Sequence, residues 1–294
     1  MCPICHSWHL GYNHHMSTQL KADLHCHSLF SDGALSPEAL IAKAIEARVE
    51  LLALTDHDTI SGVTLLCEAA RDLDIRIIQG VELSVRWKMH DIHLLGLNIN
   101  IHHPALVALL SKQSEQRVIR AKEMAKLLEV LGIGKIYQKA CELAGHERIG
   151  RPHIAQVLVN EGVVSNITSA FKRYLVRGRL GYVPTNWISL EEAVSVILDS
   201  GGNAVIAHPL KYKLTRSKLH LLINEFKCAG GDGIEVVSGE MNVSQMQELS
   251  GICLRYDLFA STGSDFHNEH DSRIKLGQQH HLPVNCKPIW EKWN

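Results

Sequence analysis

His25 and His27 flank one cysteine at the end of a short apolar run, Leu20 to Leu24. Side chains at i and i+2 leave an extended strand on the same side, so both imidazoles can reach one cation while Cys26 points away. Asp32 follows on a nearby Ser31-Asp32-Gly33 turn. A second run, Leu51 to Thr55, ends at Asp56-His57-Asp58, where one carboxylate is placed to orient the His57 ring. A third, Ile75 to Val85, passes through Gly80-Val81-Glu82, and Glu82 at its end is a carboxylate able to bridge two ions. His93 opens the next run, in His90-Asp91-Ile92-His93. His208 follows Ala204 to Ala207, and Gly263-Ser264-Asp265-Phe266-His267 closes the last run with the same i, i+2 spacing as His25 and His27.

Each of these residues alone is weak, because a lone histidine beside a strand usually just satisfies hydrogen bonds. Six positions of metal-ligand type along six strand-like runs are hard to explain as independent accidents. Burying that many titratable groups without a cation carries a large desolvation cost. Nine candidates (His25, His27, Asp32, His57, Glu82, His93, His208, Asp265, His267) exceed what one ion needs, so two or three divalent ions are expected. Imidazole with carboxylate suits manganese, zinc or iron over calcium. Closely spaced ions can share a hydroxide and clamp an oxyanion, which is the logic of phosphoester hydrolysis.

The elements that position these residues alternate between strand and helix, which predicts a parallel sheet with right-handed crossovers and, with six or seven units, a closed or nearly closed barrel. Residues at strand C-termini then converge at one end. Ser36-Pro37 opens a helix as N-cap and first residue. From 104 to 181 strand signals are nearly absent, so this stretch reads as a helical insert or lid, with the barrel formed by 19–103 and 182–294.

Residues 1–18 read as a flexible leader. Its Cys2-x-x-Cys5-His6 with His9 has zinc-ligand character but is taken as loose, and it lacks the charged start and apolar core of a secretory signal. The 294 residues carry a net charge of −1, so any basic site must be local. No apolar run is long enough for a membrane span, and eight scattered cysteines read as reduced thiols of a cytoplasmic protein.

His25-Cys26-His27, Thr55-Asp56-His57-Asp58, Gly80-Val81-Glu82, Ala207-His208-Pro209 and Gly263-Ser264-Asp265-Phe266-His267 resemble the motifs of the PHP (polymerase and histidinol phosphatase) superfamily. The match runs in order from about Leu20 to Leu276, and Asp32 stands where many relatives carry histidine. This pattern is similar to the branch of nucleoside 3',5'-bisphosphate phosphatases and 5'-to-3' exoribonucleases. The resemblance implies a distorted (β/α)7 barrel and a trinuclear centre, for which manganese is the expected ion, ahead of zinc or iron. It implies His25, His27, Glu82 and Asp265 on one ion, Glu82, His93 and His208 on a second, and Asp32, His57 and His267 on a third. It also implies a nucleotide or short RNA as substrate, without sequence-specific DNA reading. No oligomeric state is assigned.

In the insert, Gly150-Arg151-Pro152-His153 opens a helix, a seat suited to phosphate, and Arg151 and His153 take that role by resemblance. Between His146 and Val183 six Lys or Arg residues against two Glu give a local balance of +4. That favours an RNA backbone or second phosphate and argues against the cationic substrate of a histidinol-phosphate enzyme. Tyr174 or Tyr182 is placed to stack on a base. A non-catalytic metal-binding module is disfavoured because the ligand set is complete.

Overall fold

The computed structural model describes residues 20–269 and 274–293; the Cys2-Cys5-His6-His9 motif lies outside them. Eight strands form one sheet: β1 (Ala22–Asp23), β2 (Leu51–Leu54), β3 (Arg76–Trp87), β4 (His90–Leu97), β5 (Ile188–Ser189), β6 (Asn203–Ile206), β7 (Gly233–Ser238) and β8 (Phe259–Gly263). Their spatial order is β1-β2-β3-β4-β6-β7-β8, with β5 attached to the free end of β3. The ring closes between β8 and β1: Leu24 N donates to Thr262 O at 2.9 Å, Asp265 N to His25 O at 2.8 Å and His27 N to Phe266 O at 2.9 Å. The result is the distorted seven-stranded barrel the sequence implies. Strand β2, Leu-Leu-Ala-Leu, is buried on both faces, as a barrel strand covered by helices must be.

The expectation of an all-parallel sheet is overturned at one strand. Strand β4 runs antiparallel to both β3 and β6. Only Lys88 and Met89 separate β3 from β4, and a parallel crossover needs a dozen residues or more. Lys88 takes the left-handed conformation, φ 50°, that the tight turn demands.

Helices α1 (Pro37–Glu46) and α2 (Val63–Ala69) cover the first strands. Ser36 caps α1 as expected, its hydroxyl accepting from Ala39 N at 3.3 Å, while Leu40, Ile41 and Ala44 face the core. Between β4 and β5 lie α3 (Pro104–Leu128), α4 (Ile136–Ala144), α5 (Arg151–Asn160) and the single turn α6 (Ile167–Ala170). The basic segment Phe171–Leu175, within the stretch read as helical, is a π-helical turn. Helices α7 (Leu190–Asp199), α8 (Arg216–Cys228) and α9 (Val243–Tyr256) complete the barrel's outer layer.

Helix α3 belongs to two cores at once. Leu106, Leu109 and Leu110 pack into the barrel's apolar cluster, whereas Ala121, Met124, Ala125 and Leu128 pack with Ile136, Ile154 and Leu158 in a separate helical cluster. At 1.5 Å per residue its 25 residues span about 37 Å, enough to carry side chains from the barrel rim into the helical layer.

Candidate metal centre and its cavity

All nine candidate ligands converge at one end of the barrel. Past β1, the parallel bridge Cys26–Phe266 keeps the chain extended, so His25 and His27 share a side and Cys26 turns outward, its thiol donating to Ala53 O at 3.3 Å. The same bridge fixes Asp265 and His267 around Phe266. Asp32 reaches the group because Gly33 lets the turn fold back: a Cβ there would lie 2.2 Å from His27 O. Glu82 does not end β3 as expected. It sits mid-strand, bridged to His57 at the barrel rim, and β3 runs five residues further into the hairpin. His93 lies on β4 opposite Ser84. Since β4 runs the other way, its early residues meet the late residues of its neighbours, which is why a histidine near a strand's start shares a site with residues at strand ends. His208 (φ 28°) and Asp265 (φ 52°) hold left-handed conformations that cost energy in non-glycine residues and concentrate at functional sites.

The donor atoms are spaced as coordination polyhedra are. His25 Nε2 and His27 Nε2 lie 3.1 Å apart, each 3.2–3.3 Å from Glu82 Oε2 and 3.4 Å from Asp265 Oδ1. Ligands at bonds of about 2.0–2.2 Å from one cation are separated by roughly 3.0–3.5 Å. The other oxygen of Glu82, Oε1, faces His93 Nδ1 at 2.7 Å and His208 Nε2 at 2.9 Å. Asp32 faces His267 Nε2 at 3.4 Å and His57 Nε2 at 3.7 Å, with His27 Nδ1 at 3.8 Å. His27 Nδ1, His57 Nδ1, His208 Nδ1 and Glu82 Oε2 are buried without a hydrogen-bond partner, although His57 Nδ1 and Glu82 Oε2 are only 3.0 Å apart. Close approach without hydrogen bonding is the mark of donors aimed at a common cation. The donor set therefore fits divalent metals.

Electrostatics within the cluster agree. Burial would raise the carboxyls of Glu82 and Asp32, but the histidines around them outweigh it and hold both well below the usual carboxylate range. Asp265 is likewise held down against its burial, chiefly by Lys211 and His25. Burial pushes His57 and His208 down towards the neutral, ligating form.

The supporting residues are mostly ones sequence reasoning missed. Glu235, fully buried on β7, accepts from His25 Nδ1 at 2.8 Å and from His208 N at 2.5 Å. Lys211, five residues past β6, ion-pairs with Asp265. Neither Asp56 nor Asp58 orients His57, contrary to expectation. Asp56 accepts from Ser28 and Ser31. Asp58 turns to α3, where Arg117 Nε donates to it at 2.7 Å and Arg117 Nη2 reaches Ser84 Oγ at 2.9 Å.

A cavity of about 490 Å³ opens from the cluster towards the helical layer. That is room for a nucleotide-sized ligand. Arg151, at the start of α5, lines it, as do Phe171, Arg177 and Tyr182. Tyr174 packs against the helical core instead. His153 does not line the cavity. Its Nδ1 accepts from Gly150 N at 3.1 Å, capping α5, and burial lowers its pKa to about 4. Arg117 and Arg120, from α3, are cavity residues the local charge count did not include.

The PHP domain model matches residues 23–199, and the chain belongs to that family. It is 42% identical over 271 residues to the 3',5'-nucleoside bisphosphate phosphatase of Chromobacterium violaceum, covering 92% of this chain and 95% of that one. It is 40% identical over 273 residues to the 5'-3' exoribonuclease Rnm of Escherichia coli, covering 92% and 93%. A solved structure described as an amidohydrolase from Chromobacterium violaceum, with sulfate bound, superposes with a TM-score of 0.88 at 41% identity over 92% of this chain and 95% of that one. One from Bifidobacterium adolescentis, assigned as a metal-dependent phosphoesterase, gives 0.75 at 26% identity over 91% and 92%.

Proposed function

We propose that this protein is a metal-dependent phosphoesterase that removes the 3'-phosphate of nucleoside 3',5'-bisphosphates and releases mononucleotides stepwise from 5'-phosphorylated RNA. The observation that carries the reading is a nine-residue donor cluster forming one wall of a nucleotide-sized, arginine-lined cavity. His25, His27, Glu82 and Asp265 would hold one ion, Glu82, His93 and His208 a second, and Asp32, His57 and His267 a third. Glu82 presents a different oxygen to each of the first two groups, as a bridging carboxylate does. The mixture of imidazole and carboxylate suits manganese, zinc or iron, and manganese is the ion proposed. Bound divalent ions would supply Lewis acidity and an activated water.

The chain's own groups do the rest. Arg151 is placed to offset the charge that develops on phosphorus. His153, its Nδ1 accepting from Gly150 N, caps α5 and so steadies the helix start that carries Arg151. Glu235 fixes the tautomer of His25 so that Nε2 is free to ligate. The helical insert covers one side of the cavity through Arg151 and Pro152 of α5 and through Phe171. A histidinol-phosphate substrate fits poorly, because Arg117, Arg120, Arg151, Arg177 and Lys211 surround the cavity and would repel its amine. The six described cysteines are all unpaired, which suits the cytoplasm.

The test is to offer manganese-loaded protein adenosine 3',5'-bisphosphate and a short 5'-phosphorylated RNA. Inorganic phosphate from the first, or 5'-mononucleotides from the second, is expected. His25→Ala or Asp265→Ala should abolish both with the circular dichroism spectrum retained. Full activity in either variant would refute the site, and no turnover by metal-bound wild type would refute the activity.

A further inference from the structure

The proposed chemistry leaves a second opening unexplained. Besides the arginine-lined cavity, another of about 470 Å³ reaches the ligand cluster. Asp32, Asp265, His267 and Lys211 line both, as do Pro152 and Phe171. His57, Glu82, His93 and His208 line only the first of the two. His267, common to both, has the most exposed side chain of the proposed ligands, at 27%.

The two cavities differ in charge. Arg117, Arg120, Arg151 and Arg177 line the first. Among the described residues no arginine lines the second, and Glu240 adds a carboxylate to its wall. The helical insert contributes Pro152, Ile167 and Phe171, and the loops after β7 and β8 contribute Gly239, Ser264 and Asn268. Gly239, at φ 53°, presents bare backbone there, and a Cβ would lie 3.1 Å from Ser264 O. A wall that is partly apolar and partly neutral polar suits an uncharged group with an aromatic face, such as a nucleoside, better than it suits a phosphate.

The two substrates of the proposed reaction differ in what they need. In a bisphosphate the 3'-phosphorus carries nothing beyond its own oxygens. In RNA it also carries, through O5', the next nucleoside. Hydrolysis adds water to that phosphorus and breaks its bond to O3'. O3' leaves with one proton on the released mononucleotide, and the phosphate stays on the shortened RNA as its new 5'-phosphate. The released nucleotide and the retained chain therefore extend from one phosphorus in different directions, and RNA needs space on two sides of the cluster.

We propose that the second cavity seats the nucleoside on the 3' side of the cleaved bond of an RNA substrate. The inference rests on the phosphoesterase reading and gives its exoribonuclease arm a wall that a bisphosphate does not use. Contact with a base through apolar and aromatic side chains tolerates any sequence, as stepwise digestion requires. The absence of guanidinium from this wall, among the described residues, leaves the retained chain free to advance after each cut.

Ile167, half-buried on α6, lines the second cavity and not the first. The experiment compares wild type, Ile167→Glu and Ile167→Lys on adenosine 3',5'-bisphosphate and on a 5'-phosphorylated RNA trimer. The ratio of kcat/KM on RNA to that on the bisphosphate should fall about tenfold or more in Ile167→Glu, whose carboxylate would face the phosphates of the retained chain. It should fall less in Ile167→Lys. A smaller fall in Ile167→Glu, or an equal fall in Ile167→Lys, would overturn the proposal, as would hydrolysis of the bisphosphate alone by wild type. A disturbed fold would depress both substrates together and leave the ratio unmoved. Fluorescence anisotropy of the trimer, labelled at its 3' end, on chelator-treated protein reads the seat without turnover. Binding should weaken about tenfold or more in Ile167→Glu, and equal binding by the two proteins, or none by wild type, would overturn the seat. Should wild type hydrolyse neither substrate, the activity reading falls and this binding measurement alone decides the seat.

Discussion

Glu235→Gln removes one charge and one acceptor from beneath the metal centre while conserving shape. In the native site the two carboxylate oxygens each serve one donor: Oε1 takes His25 Nδ1–H at 2.8 Å, and Oε2 takes the backbone His208 N–H at 2.5 Å. A glutamine has a single carbonyl oxygen. Whichever way its amide turns, one buried donor faces an N–H, and an unsatisfied buried donor costs about 1–3 kcal/mol. If the amide keeps the backbone, His25 loses the acceptor that fixes its tautomer; if it keeps His25, the left-handed turn at His208 (φ 28°) loses its anchor. Both routes misplace a proposed ligand, and loss of such a partner typically weakens metal binding by about 10–100-fold. The melting temperature should fall by roughly 2–4 °C for each kcal/mol lost, given a domain of this size. Calorimetric titration with Mn²⁺ and differential scanning of the chelator-treated protein separate the two effects. A Kd for Mn²⁺ within twofold of wild type would refute the claim that Glu235 acts through His25 and His208.

Two further outcomes follow from the cluster's charges. His27 is held up to about 10: burial would lower it, but Asp265 and Glu82 outweigh the burial. A raised histidine contributes stability that is whole below about pH 6.5 and is lost as pH rises through the folded value, so chelator-treated protein should lose thermal stability between about pH 7 and 10. Metal must displace that proton, so Mn²⁺ titrations at pH 8 in buffers of different ionisation enthalpy should count about one or more protons released, and none released would refute the assignment of His27 as a ligand. Arg117→Met strands the fully buried Asp58, which should cost about 3–5 kcal/mol in urea unfolding, with Asp58→Asn in the same chain recovering part of it; additive losses would refute the pair.

What was legible in the sequence and what was not divides along a physical line. The convergence of the proposed ligands was legible because they are read along one strand at a time: His25 and His27 share a side by the two-residue period, and Asp265 and His267 repeat it. Barrel closure was legible because alternating helices and strands leave few alternatives. The antiparallel β4 was obscured because His90 to Leu97 reads as any apolar strand, and direction is set by the two residues before it, Lys88 and Met89. The continuation of β3 past Glu82 was lost for the same reason, since that stretch is a hairpin arm and not a barrel stave.

Groups that act across elements left no local signal. Glu235 lies on β7, 210 residues from His25, in a run whose residues are all buried, and nothing in Gly-Ile-Glu-Val-Val marks that carboxylate as facing inward. Arg117 and Arg120 belong to one turn of α3 and read as an ordinary solvated helix face. They face inward only because the first half of α3 is anchored in the barrel core and the second half in the helical cluster. That double anchorage has a functional consequence. Asp58 adjoins the proposed ligand His57, Arg117 joins Asp58 to α3, and Trp187 joins Arg117 to Arg120. The cover and the metal centre are therefore tied through one helix, so a displacement of α3 moves the cavity's arginines and the support of the proposed ligands together.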